Sequence, residues 1–111
     1  MALTKQEYPK IKGTNYRKFY KSLVEMLSQK SDIHHIDHNH DNNDFTNLVE
    51  LNKKTHLRYH FLYGKLKNIP CYEYIRSGSL MEEINELHIL YKEILFRINQ
   101  RDYMYAANFN Q

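Results

Sequence analysis

Apolar positions recur at helical spacing in two long stretches and alternate briefly between them. Tyr16, Phe19, Tyr20, Leu23, Val24 and Leu27 form one stripe, which predicts a helix capped by Thr14 or Asn15 and running to about Gln29. Ser31-Asp32 breaks it. Asp32–Asp37 reads as a short strand and Leu48–Leu51 as a returning one. The intervening HNHDNNDFT is dense in Asn and Asp, which favour turns and left-handed backbone, so it predicts a loop. Asn52 can cap a helix from Lys53 to about Tyr63, with Gly64 a natural stop. An irregular connection over 65–78, containing Pro70 and Gly78, follows. Ser79-Leu80-Met81-Glu82 matches a capping box for a helix to about Arg101, with Ile84, Leu87, Tyr91, Ile94 and Ile98 on its seam.

This order predicts an α+β fold in one domain over residues 1–111. An N-terminal arm and helix occupies 1–30, a strand–loop–strand–helix core 32–64, and a long C-terminal helix 79–101. A chain of 111 residues suffices for one modest core. The N-terminal residues lack the apolar run of a signal peptide, and no stretch approaches the roughly 18 apolar residues of a membrane span. The lone Cys71 excludes an internal disulfide and a paired-cysteine zinc ribbon. The expectation is an intracellular protein with no membrane partner.

Charge refines the picture. Residues 1–30 carry seven basic and two acidic groups, 31–52 five acidic and no basic, 53–76 six basic and one acidic. Basic flanks attract a polyanion, whereas an acidic, imidazole-rich centre can hold a cation. Six of the seven histidines lie within His34–His60. His56 and His60, four apart on a predicted helix, stand on one face and can reach a single metal ion. His34 from the strand would make a third ligand, leaving a coordination position open to water or substrate.

The segment IHHIDHNHDNNDFTNLVELNKKTHLRYH, residues 33–60, closely resembles the HNH endonucleases, the ββα-metal or His-Me finger nucleases. The family's metal-binding residue followed by the catalytic histidine matches His34-His35. Its central asparagine before a leucine matches Asn47-Leu48, twelve residues after His35, and its helical metal ligand matches His56, nine residues further. His60 resembles the extra ligand of the colicin-type branch, and the DHNHDNND loop is similar to that of phage and homing enzymes. The resemblance covers about 28 of the 111 residues.

It implies a ββα-metal core flanked by the two outer helices and a metal-dependent nuclease acting on DNA rather than RNA. His34, His56 and His60 would hold one divalent metal, Mg²⁺ or Mn²⁺ in catalysis, with Zn²⁺ or Ni²⁺ able to occupy the site. His35 would be the general base, and Asn47 would bridge the loop and orient the backbone around it. An alternative register makes Asp37-His38 the metal–base pair but shortens the interval to Asn47. His38 and His40 are therefore read as loop residues near the substrate or simply solvated ones, and His88 as structural. Lys53, Lys54, Arg58, Lys65 and Lys67 are the candidate nucleic-acid contacts. The C-terminal seam packs within the chain or pairs two copies as a homodimer. The setting expected is the cytoplasm of a bacterial or phage-infected host cell. The rival reading is a non-catalytic, zinc-stabilised nucleic-acid-binding or interaction module on a degenerate nuclease core.

Overall fold

Two four-residue strands with opposite faces organise everything else. The computed structural model describes residues 15–69 and 78–109. Its elements are α1 (Tyr16–Leu23), β1 (Asp32–His35), β2 (Leu48–Leu51), α2 (Lys53–Leu66) and α3 (Gly78–Phe109). The strands pair antiparallel, Asp32 opposite Leu51 and His35 opposite Leu48. Side chains alternate along a strand, so Ile33, His35, Leu48 and Glu50 share one face, while Asp32, His34, Val49 and Leu51 share the other. Both faces are covered. The first meets Tyr20, Val24, Phe45 and Tyr105; the second meets Tyr59, Leu62, Leu90 and Ile94.

α3, with 32 residues, serves both clusters because it spans roughly 48 Å at 1.5 Å per residue. Between its two contacts lies the buried Arg101, whose guanidinium donates to the carbonyls of Phe45, Thr46 and Leu48, the last at 2.7 Å. These bonds fix the end of the loop that leads into β2. No described helix is long and apolar enough to cross a membrane.

Several element boundaries differ from expectation, each for a tertiary reason. α1 ends at Leu23 instead of Gln29. Val24 turns to extended backbone, φ −139° and ψ 153°, and drops its side chain into the first cluster. The amides of Leu27 and Ser28 then bond the Glu50 carboxylate at 2.8 and 3.0 Å, and Leu27 stays 49% exposed. Asn15 precedes α1 without a side-chain cap bond, and Thr14 lies outside the described residues. β1 stops at His35 because the His38 amide turns back onto the His35 carbonyl at 2.9 Å.

Gly64 does not stop α2. Leu62 and Leu66, four apart, are both buried, and that anchoring carries the helix through the glycine. α3 begins one residue ahead of Ser79 and runs past Arg101 to Phe109. Tyr105 is buried there, and Asn108 Nδ2 donates to the Leu23 carbonyl at 3.0 Å. Of the seam residues, Leu87, Ile94 and Ile98 pack in or against the second cluster, joined by Leu90 beside the seam, while Tyr91 is 41% exposed. The seam offered for a homodimer is thus largely occupied within the chain. Pro70 and Cys71 lie outside the described residues.

Candidate metal centre

Alternation in β1 sends the two adjacent histidines to opposite faces of the hairpin. His34 faces α2, where its ring centroid lies 5.1 Å from that of His56, 5.3 Å from His60 and 5.1 Å from Tyr59. His56 and His60, one helical turn apart, present their Nε2 atoms to each other at 3.0 Å. The ligand atoms of all three histidines fall within 4.8 Å of one another. Two imidazoles on one tetrahedral zinc would place their nitrogens about 3.3 Å apart, given Zn–N bonds near 2.0–2.1 Å. At the observed spacing the rings share either a proton or a cation.

Three observations test the fit to a metal. His34 is 1% exposed, and its Nδ1 has no hydrogen-bond partner among the described residues. An unsatisfied buried polar atom costs about 1–3 kcal/mol, which coordination would recover. Second, Asp32 Oδ2 lies 3.0 Å from His56 Nδ1. The carboxylate accepts the Nδ1 proton and leaves Nε2 with a free lone pair, the arrangement that orients metal-binding histidines. Third, burial, with the neighbouring imidazoles of His56, His60, His38 and His35 adding to it, pushes the His34 pKa down to about 3. Burial followed by His56, His38 and His40 lowers that of His60. Neutral imidazoles are the form a metal requires. The three residues fit a divalent transition ion, with His56 half-buried and His60 exposed at the mouth.

His35 points the other way. Its Nε2 lies 2.9 Å from Asn43 Oδ1; an amide oxygen only accepts, so Nε2 carries the proton and Nδ1 is the basic nitrogen. The Tyr16 ring meets it edge-on at 4.7 Å and the His40 ring lies 4.7 Å away, leaving His35 3% exposed.

Asn47 ties both ends of the loop. Its Oδ1 accepts from the Asp37 amide, and its Nδ2 donates to Asp37 Oδ1 and the Asn42 carbonyl, all at 2.9 Å. The Ile36 amide bonds the Asn47 carbonyl at 2.8 Å. Asp37 also accepts from Asn42 Nδ2 and the Asn39 amide, each at 2.8 Å. The Asn42 bond first, with those from Asn39 and Asn47, holds its carboxyl below the usual range. Asp37 is therefore committed to the loop, and the register that made it a ligand is not the one brought together. His38 adopts φ 64°, and its Nε2 lies 2.8 Å from the Tyr59 hydroxyl, beside the cluster. His88 is exposed on α3.

The five candidate nucleic-acid contacts separate. Arg58 forms a bidentate pair with Glu86, one bond at 3.0 Å, and Lys65 pairs with Glu83 at 2.9 Å. Lys67 lies over the Tyr63 ring at 5.9 Å. Lys53 and Lys54 are exposed in the first turn of α2. Sequence reasoning missed Asp32, Asn43, Tyr59 and Arg101. Asp32 had a signal, since it stands two residues before His34 on the same strand face. Asn43 had none within a run of similar residues. Comparison of the chain with family models, with curated proteins and with solved structures finds no match in any of the three.

Proposed function

We propose that the chain is a metal-dependent HNH endonuclease built on a ββα-metal core, hydrolysing phosphodiester bonds in DNA. The observation that carries the reading is the convergence of His34, His56 and His60 with the adjacent His35 held apart from them on its own hydrogen bond. A metal cluster alone has no need of that second imidazole.

A divalent ion held by His34, His56 and His60 would neutralise the charge that grows on the scissile phosphate and its leaving oxygen. His35 takes a proton from the attacking water at Nδ1, and Asn43 keeps the opposite nitrogen protonated so that the base presents the right tautomer. Asn47 clamps the loop against β1 and so fixes the backbone from which His35 projects. Asp32 holds the His56 ring. The rings of Tyr16 and His40 both lie against His35, so water reaches the base only when one of them shifts.

The burial of His35 favours a second reading, a non-catalytic module whose metal is structural and whose His35–Asn43 bond only braces the loop. Plasmid nicking separates the two. Supercoiled DNA is incubated with Mg²⁺, Mn²⁺, Ni²⁺ or Zn²⁺ and wild type or His35→Ala. The expected result is retained metal binding with nicking reduced about 10²–10⁴-fold, the usual contribution of a positioned base. Equal cutting by both proteins, or none by either in any metal, refutes catalysis by His35.

A further inference from the structure

Basic side chains in this fold divide into those spent on the chain itself and those left over. Arg17 donates to the carbonyls of Ser31 and Gln29, Arg58 and Lys65 pair with Glu86 and Glu83, and Arg101 is consumed by the loop. Lys30, Lys53 and Lys54 are exposed, and their ammonium groups make no hydrogen bond or ion pair with any described residue. These three line a single cleft of about 690 Å³, together with Arg97, Ser31 and Leu57.

The carboxylate in that cleft, Glu50, is already engaged. It is buried and accepts from the amides of Leu27 and Ser28 and from the Ser31 hydroxyl, so its oxygens are bonded to those groups and to none of the three lysines. The first turn of α2 opens onto the same space, adding the positive end of the helix dipole. The cleft also adjoins the histidine cluster along the chain. Ser31 immediately precedes Asp32, which holds His56, and Leu57 immediately follows His56.

We propose that this cleft binds the phosphodiester backbone of DNA a few nucleotides from the phosphate acted on at the histidine cluster. The inference rests on the nuclease reading and names where its substrate lies. A strand presents one charge per roughly 3.4 Å of helix axis, so a cleft that takes Lys53 and Leu57 from the turn of α2 bearing His56 meets phosphates close to the scissile one. Arg58 and Lys65 are not part of the track, because Glu86 and Glu83 of α3 neutralise them.

Salt-dependent binding tests the assignment. The full chain is titrated in EDTA, which prevents cutting, against a fluorescein-labelled duplex of about 20 base pairs, and log K is plotted against log salt; each phosphate neutralised contributes about −0.9 to the slope. Lys30→Gln/Lys53→Gln/Lys54→Gln should flatten the slope by about 2–3 and weaken binding at least tenfold, with Lys54→Gln alone flattening it by about 1. Arg58→Gln/Lys65→Gln should leave the slope at the wild-type value. A wild-type slope in the triple variant overturns the cleft while leaving the nuclease reading intact. Failure of the wild type to bind duplex at any salt overturns both.

Discussion

Replacing His34 by leucine should remove a specific acid sensitivity from the metal-free protein. The side chain is 1% exposed with an unpartnered Nδ1, and its pKa falls to about 3 in the folded chain against 6.5 for a free imidazole. Between those values the unfolded chain binds a proton that the folded chain refuses. Stability therefore rises with pH across this window and is lost as pH falls through 6.5 toward 3. Integrating the two titrations from pH 7 to pH 5 gives a loss of about 2 kcal/mol, at about 1.4 kcal/mol per pKa unit. Leucine has nearly the same volume, packs against Tyr59 and the α2 face, and cannot titrate. Urea unfolding of wild type and His34→Leu, each at pH 7 and pH 5 in EDTA, isolates the term. His38 and His60 also have lowered pKa values, but they titrate in both proteins and largely cancel in the comparison. Wild type should lose about 2 kcal/mol more than the variant on acidification. An equal loss in both would mean that His34 is hydrated or already charged, and the neutral, metal-ready cluster would fall with it.

Two further substitutions probe the supports of that cluster and of α2. Asp32→Asn removes the charge from the acceptor of His56 Nδ1 and should weaken Zn²⁺ binding about 10–100-fold by calorimetry, as loss of such a carboxylate does elsewhere; unchanged affinity would rule out its orienting role. Gly64→Ala should stabilise the protein by roughly 0.5–1 kcal/mol in urea unfolding, because a methyl group there meets nothing within 4 Å inside a continuous helix. A destabilised variant would show that α2 does not run through Gly64 in solution.

The fold and the candidate site were legible to different depths, and the reasons are physical. Spacing alone placed His56 above His60, because an α-helix repeats every 3.6 residues whatever surrounds it. Strand alternation is equally local, and it separates His34 from His35 with no knowledge of the rest of the chain. The helix ends were not legible in the same way. Val24 leaves α1 because the first cluster has room for its side chain, and α2 passes Gly64 because Leu66 finds a buried place. Both outcomes depend on partners distant in sequence. The same contrast runs through the charges. Lys53, Lys54, Arg58 and Lys65 are equivalent as letters on a helix, and only the arrival of Glu83 and Glu86 on α3 divides them.

That contrast explains why the histidines could be assigned distinct places while their helpers could not. A histidine pair on one helix, and neighbours on opposite strand faces, are set by backbone geometry within a few residues. The groups that tune them arrive from elsewhere: Asn43 from the loop, and Tyr59 from α2 onto His38. Arg101 reaches the Phe45–Leu48 carbonyls from more than fifty residues away. Asp32 is the instructive exception. It shares the face of His34 by simple alternation, and its carboxylate meets the Nδ1 of a histidine 24 residues later. A carboxylate two residues before His34 on the same strand face thus reaches a candidate ligand on the facing helix, and the metal affinity of Asp32→Asn measures what that contact contributes.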